Sequence, residues 1–316
     1  MSALTSDRRL RNRIHAQIAA LHTGGQLSAP QAVRDYLSDR TIQAVAAEYR
    51  AQRSDAPTDG RAAIVTAGAP GAGKSSALNA IADGYRRIDP DDIKDLLLAH
   101  LETAGLLAIR HQHLLADKNP VTPGELAAWV HNASTEAANR VRAVSLQRGE
   151  NFVMEGTLSW PGLTDRYVDE LASFDYSRLT VLDVEVPLVV AIEQAKDRWW
   201  QGRQSRRTAF GVELGGRFIS EAAVKGFYTA PRTATACAVN ARTLYTAANA
   251  AGIESDVLIV SRAATGIEYR ARLAPDGEVT PWDNAPLGAV CIQCGAILND
   301  PSAIHAGVGR SCAQPT

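Results

Sequence analysis

Lysine is scarce in this chain. Its 316 residues hold five lysines against twenty-eight arginines, and 34 acidic side chains bring the formal net charge to −1. Without a basic excess, the sequence does not read as a dedicated nucleic-acid binder. Long apolar runs are missing as well: none approaches the ~18 residues that a membrane-spanning helix needs. The first twenty-five residues are basic and amphipathic, with no unbroken apolar segment and no small-residue cleavage site, so no secretory leader is read there. Cysteine is limited to four, three of them within the last 26 residues, which argues against a disulfide framework and for a reducing, cytoplasmic setting. Aromatics make up only 6%, but an apolar content of 46% suffices for a core, and 21% charged residues exclude wholesale disorder.

Beyond these absences the chain alternates between two periodicities. Leu10, Ile14, Ile18 and Leu21 fall at helical spacing, and Gly24-Gly25 closes that run. Ser28 and Pro30 open a second helix, with Val33, Leu37, Ile42, Val45 and Tyr49 as its apolar stripe. After a polar linker at 54–60, short apolar runs predict strands at 62–67, 85–89, 151–155 and 179–186. Helices are expected from Lys74 to about Asp83 and over 92–117, 123–148, 161–174 and 188–200. Two further runs, 256–261 and 267–273, are expected to close one edge of a sheet. Strands alternating with helices predict an α/β fold, a parallel sheet flanked by helices. The punctuation separates a helical N-terminal extension (1–57), an α/β domain (58–280) and a small cysteine-bearing module (286–316).

The sharpest motif is Gly68-Ala69-Pro70-Gly71-Ala72-Gly73-Lys74-Ser75, followed by Ser76, a full match to the phosphate-binding loop pattern GxxxxGK[ST]. Glycines let backbone N–H groups turn inward around phosphate oxygens. In that role Lys74 reaches the β- and γ-phosphates of ATP, and the Ser75 hydroxyl is a ligand for Mg²⁺. The motif follows a predicted buried strand and opens a helix, as that chemistry requires. It makes the α/β domain one of P-loop NTPase or kinase type.

Carboxylates follow at the expected strand ends, which face ligands in open α/β sheets. Asp89, Asp91 and Asp92 come first, as acceptors of a hydroxyl proton or ligands of Mg²⁺-bound water, or simply as caps of the next helix. Glu155-Gly156-Thr157 ends the third strand, with Glu155 a substrate-side group, a hinge or a magnesium group. Arg198 lies on the helix after the fourth strand. Arg203, Arg206, Arg207 and Arg217 punctuate a glycine-containing segment that reads as a mobile loop able to close over a triphosphate. A GTPase specificity signature is missing. Trp199-Trp200 suits base stacking or core packing.

In this order the motifs resemble the zeta toxin family over roughly residues 60–230. The resemblance implies a P-loop kinase of a bacterial toxin–antitoxin system that phosphorylates the aminosugar 3′-hydroxyl of UDP-N-acetylglucosamine. It implies Asp91 as catalytic base, with Ile93 where the family pattern has Phe, and Asp89, Glu155 and Thr157 on the substrate side. Arg198, in the helix after Val186-Pro187, and Arg217, in Gly216-Arg217-Phe218-Ile219-Ser220, take the two phosphate-stabilising positions, with Arg203 and Arg207 as alternatives for the second. Where members often carry an arginine after the EGT motif, this chain has Leu158-Ser159-Trp160, so acceptor contacts at that turn differ. An antitoxin protein is the implied partner.

Cys291, Cys294, His305 and Cys312 have the spacing C-x2-C-x10-H-x6-C, which supplies four ligands for a structural Zn²⁺. The segment resembles small treble-clef-like zinc modules with the pattern CxxCGxxL…GxGxxC. Cys237, in an alanine-rich helix, reads as a buried inert thiol. The expected activity is therefore ATP-dependent phosphotransfer to a nucleotide sugar. A polynucleotide or small-nucleotide kinase and a non-catalytic ATP-binding switch are the alternatives.

Overall fold

Six consecutive buried residues, Ala62–Ala67, form the strand around which the sheet is ordered. The computed structural model describes residues 3–53, 57–58, 60–228, 235–262 and 268–282. Cys291, Cys294, His305 and Cys312 lie outside the described residues.

Along the chain, helices α1 (Ala3–Thr23), α2 (Gln31–Tyr36) and α3 (Asp39–Ala51) precede β1 (Ala62–Ala67), α4 (Lys74–Leu78), β2 (Arg86–Ile88) and α5 (Pro90–Thr103). Two 3₁₀ segments, Ala108–Gln112 and Pro123–Val130, lead to α6 (His131–Arg148), β3 (Phe152–Met154), α7 (Gly162–Ser173), β4 (Arg178–Glu185) and α8 (Leu188–Gln204). The short strands β5 (Thr208–Ala209) and β6 (Val212–Glu213) are followed by α9 (Glu221–Lys225) and α10 (Ala236–Ala250). The last elements are β7 (Glu254–Arg262), β8 (Glu268–Leu273) and β9 (Val279–Pro281).

The described residues form two compact units. One draws on Met1–Arg53, Asp89–Val141 and Gln194–Glu221; the other on Ser54–Ile88, Arg142–Glu193 and Ala222–Thr316. The second unit holds a seven-stranded sheet in the order β2-β3-β1-β4-β7-β8-β9. Five strands are parallel, and β8 and β9 add an antiparallel edge. A parallel sheet buries its strands on both faces, which is why β1 and β3 are buried without a break and apolar except at Thr66. Helix α10 covers β4 and β7 and packs on α7. Asp183 is fully buried on β4 and paired with Arg242 of α10 at 2.9 Å.

In the first unit α3 packs against α5. The single helix expected from Ser28 is broken: α2 ends at Tyr36, and Ser38 starts α3 by accepting a hydrogen bond from Thr41 N at 3.4 Å. The helix expected over 92–117 stops at Thr103, because Gly105, at φ +71, terminates it in the left-handed conformation. The stretch before His131, expected to be α-helical, is 3₁₀ and opens with Pro123.

Candidate active site

In the second unit β1 delivers the Gly68–Ser75 loop. Gly68 and Gly73 take φ of +132 and +87, conformations that favour glycine. Gly73 is the N-cap of α4, and the Arg262 guanidinium, from the end of β7, occupies the space a Cβ would need there. Arg262 is anchored by Glu268 at 2.6 Å and donates to the Ala72 carbonyl at 3.3 Å. Lys74 Nζ donates to the Gly68 and Ala69 carbonyls at 2.7 and 3.1 Å, so its ammonium lies within the loop. Since α4 spans only five residues, a phosphate at this loop would be held by backbone N–H groups and the lysine more than by a helix dipole. Cys237 sits behind the loop with its thiol pushed up to about 12 by burial, reinforced by the charge of Glu185; it is the inert thiol expected.

At the end of β3, Glu155 is buried and pairs with Arg87 of β2 at 2.6 Å, while Arg87 also reaches Asn79 at 2.8 Å. The glutamate thus ties neighbouring strand ends together. Thr157 offers its carbonyl to Gly68 N at 3.2 Å, joining the EGT turn to the phosphate loop.

In the first unit α5 carries the carboxylates. Asp89 is its N-cap, accepting from Asp91 N at 2.8 Å, and its own N–H donates to the Tyr49 hydroxyl at 2.9 Å. Asp92 pairs with Arg53, which stacks 3.7 Å over the Tyr49 ring. Asp91 instead accepts from Lys94 Nζ at 2.8 Å and lies 3.6 Å from Arg217 Nε. Burial opposes its charge, but Lys94, Arg217 and Arg198 together outweigh burial and hold the carboxyl below its ordinary range. Asp91 is therefore ionised at neutral pH. His131 lies near the same charges, and burial with Lys94 lowers its pKa against the opposing pull of Asp91.

The arginines separate by partner. Arg203 is buried and fully engaged by Glu125 at 2.8 Å, Asp117 at 2.9 Å and the Pro120 carbonyl. Arg207 grips Asp95 with two nitrogens at 2.8 and 3.0 Å. Arg217 alone among these three meets Asp91, and it also reaches Asp95 at 2.7 Å. Arg198 is exposed, acts on Asp91 through its charge, and forms no ion pair among the described residues. The segment that reads as a mobile loop in sequence is closely packed at 214–216. Gly124 N donates to the Leu214 carbonyl at 2.7 Å, and Phe218 N to the Gly124 carbonyl at 3.2 Å. A side chain on Gly216 would run into the Trp199 backbone, so only glycine lets Arg217 be carried this close to α8.

Sequence reasoning missed Lys94 and Asp95. Their signal was present: on one helix, positions three and four after Asp91 share its face. The tryptophan pair belongs to the core, Trp199 donating to Glu125 at 2.9 Å and Trp200 to Asp7 at 3.0 Å. A cavity of about 540 Å³ in the first unit lies beside Trp200, Arg110 and Arg203 and is lined by neither Asp91 nor Arg217. Of its three arginines, Arg110 and Arg203 are taken by Glu102, Asp117 and Glu125, while Arg206 is exposed and lies 3.9 Å from Glu213; the cavity holds none of the α5 cluster of Asp91, Lys94 and Asp95.

Among the described residues no group of three or more His, Cys, Asp or Glu side chains can hold a metal ion. Mg²⁺ at the loop would rest on the exposed Ser75 hydroxyl and on phosphate oxygens, an oxygen set that suits a hard cation with few protein ligands. No helix among the described residues is long and apolar enough to cross a membrane.

Among solved structures the chain is similar to the AvrRxo1-ORF1:AvrRxo1-ORF2 complex with sulphate ions, at 16% identity over 88% of this chain and 70% of that one, TM-score 0.45. The same complex with ATP gives 17% identity, 77% and 65% coverage and a TM-score of 0.45. The PezAT chromosomal toxin–antitoxin system of Streptococcus pneumoniae gives 12%, 74%, 81% and 0.43. No curated protein matches the chain in sequence. The zeta toxin family model matches residues 46–255, a span that includes the phosphate loop, the α5 carboxylates, the EGT turn, Arg198 and Arg217. By that match, over well more than half of its length, the chain belongs to the zeta toxin family.

Proposed function

We propose that this protein is an ATP-dependent phosphotransferase that phosphorylates a hydroxyl of a nucleotide sugar, UDP-N-acetylglucosamine or a related UDP-sugar, as the toxin of a toxin–antitoxin pair. Family membership supports the reading. The observation that carries it is Asp91, a carboxylate 2.8 Å from Lys94 Nζ and 3.6 Å from Arg217 Nε, in a chain whose phosphate loop retains its lysine.

In this reading Lys74 and the loop N–H groups bind the β- and γ-phosphates, and Ser75 would hold Mg²⁺, which would supply charge neutralisation there. Asp91 orients the acceptor hydroxyl and takes its proton as the oxygen attacks the γ-phosphorus, while the bond from that phosphorus to the β-phosphate oxygen breaks and ADP leaves. A base of lowered pKa accepts the proton late, so its main contribution is orientation. Arg198 and Arg217 stabilise the moving phosphoryl group. Asp89, Glu155 and Thr157 are assigned to acceptor binding by their motif positions, and Glu155 holds Arg87. An antitoxin protein would be the partner, and the four-ligand Zn²⁺ site at Cys291, Cys294, His305 and Cys312 is proposed on sequence spacing alone.

The test is incubation with ATP and a panel of UDP-sugars, nucleotides and oligonucleotides, reading phosphoryl gain by mass spectrometry. Asp91→Ala should lower transfer ~10²–10⁴-fold while ATP still binds. Full activity in that variant, or phosphorylation confined to oligonucleotide ends, contradicts the proposal.

A further inference from the structure

The turn after β3 carries Trp160, a tryptophan 61% exposed, and the turn is built to hold it there. Leu158 takes a left-handed φ of +52, rare for a branched side chain, although that side chain is only 2% exposed. Its carbonyl accepts from Asn240 Nδ2 at 2.8 Å, and the Thr157 and Ser159 hydroxyls lie 3.0 Å apart. The same turn is pinned to the phosphate loop. Gly68 N donates to the Thr157 carbonyl, and the Thr66 hydroxyl both donates to Gly156 O at 3.0 Å and accepts from Gly156 N at 2.8 Å. The indole has a seat of its own: a Cβ on Gly162 would lie 2.5, 2.7 and 2.9 Å from ring atoms Cζ2, Cη2 and Cε2. Glycine at the start of α7 therefore leaves room for the ring, which stays largely exposed.

We propose that Trp160 is a platform on which the planar base of the acceptor nucleotide stacks. This rests on the kinase reading above and deepens it, because it assigns recognition of the acceptor to its base as well as to its sugar. The sheet order separates this turn from the opposite flank of the loop. β3 borders β1 on one side, while β4 and then β7, whose Arg262 touches Ala72, lie on the other. An indole face is apolar and quadrupolar, so it stacks a flat heterocycle more strongly than a sugar phosphate that lacks one. It also tolerates any base, leaving base identity to other contacts.

The test is equilibrium binding by calorimetry with a non-hydrolysable ATP analogue saturating. The ligands are the four nucleoside monophosphates, UDP-N-acetylglucosamine and the base-free N-acetylglucosamine 1-phosphate. The proteins are the wild type, Trp160→Phe and Trp160→Ala. Trp160→Ala should weaken every base-bearing ligand that the wild type binds by about 5- to 100-fold, the loss expected on removing one aromatic–base stack. Trp160→Phe should restore most of it. N-acetylglucosamine 1-phosphate and the ATP analogue should bind all three proteins alike. Unchanged affinities in Trp160→Ala overturn the proposal, as does a loss confined to the ATP analogue or a wild type that binds no base-bearing ligand. A parallel wild-type transfer assay separates the two claims: no product with any acceptor refutes the kinase reading, whereas stacking is decided by the binding data alone.

Discussion

The Arg217 guanidinium reaches two carboxylates one helical turn apart, lying 3.6 Å from Asp91 and 2.7 Å from Asp95. Arg203, fourteen positions earlier in the chain, is instead enclosed by Glu125 and Asp117. Two arginines that look equivalent in sequence thus have different expected consequences. Arg217→Ala should lower phosphoryl transfer ~10³–10⁵-fold and leave the protein folded, since Arg207 still pairs with Asp95. Arg203→Ala should instead destabilise by about 3–5 kcal/mol, because Glu125 is left buried without its cationic partner. Steady-state transfer and denaturant unfolding, run on both variants, distinguish the two.

The charge state of Asp91 depends on its neighbours. Burial works to raise its pKa, and Lys94 is the strongest of the charges that reverse that effect. Because the folded carboxyl is depressed, it stays ionised as pH falls through the ordinary carboxylate range, and the acidic limb of kcat/KM is displaced to low pH. Lys94→Met should shift that limb upward. An unchanged pH profile for the variant counts against Asp91 as the titrating base.

Gly73 couples the phosphate loop to β7. An alanine there would be held at φ +87 and would meet the Arg262 guanidinium. The left-handed backbone alone costs about 1–2 kcal/mol, so calorimetric ATP affinity should fall roughly tenfold or more. Gly105→Ala is the control: φ there is +71 with nothing within 4 Å of an added Cβ, so it should lose stability without losing ATP binding.

Glu185, at the end of β4, is pushed up to about 8 by burial first and by the charge of Asp183 second, while Thr235 donates to it at 2.6 Å. A carboxyl whose folded pKa exceeds its unfolded value binds more protons in the native state between the two. Its contribution to stability is therefore full at low pH and is lost as pH rises from about 4.5 to 8, by at most ~1.4 kcal/mol per pH unit. Glu185→Gln should flatten the fall in melting temperature across that window. Equal slopes in both proteins would exclude Glu185 as its source.

Much of this was legible in the sequence. The phosphate loop, the run Ala62–Ala67 and the position of Asp91 after a strand are contiguous signals, decided by backbone freedom, burial and the period of apolar residues. The α5 face was legible too, had the spacing of Asp91, Lys94 and Asp95 been followed. Helix ends were harder. Ser38 and Gly105 break segments whose apolar pattern continues past them, because a cap or a left-handed residue overrides periodicity locally.

By itself, then, the sequence determined a P-loop α/β protein with an acidic helix start and an EGT turn, since each of these is encoded by neighbours in the chain. Only the tertiary structure decided which arginine meets Asp91, why Gly216 must lack a side chain, and that Trp199 and Trp200 are core while Trp160 is not. The reason is physical. An arginine's role is set by the carboxylate it finds and a tryptophan's by the surface it covers, and both partners come from distant parts of the chain.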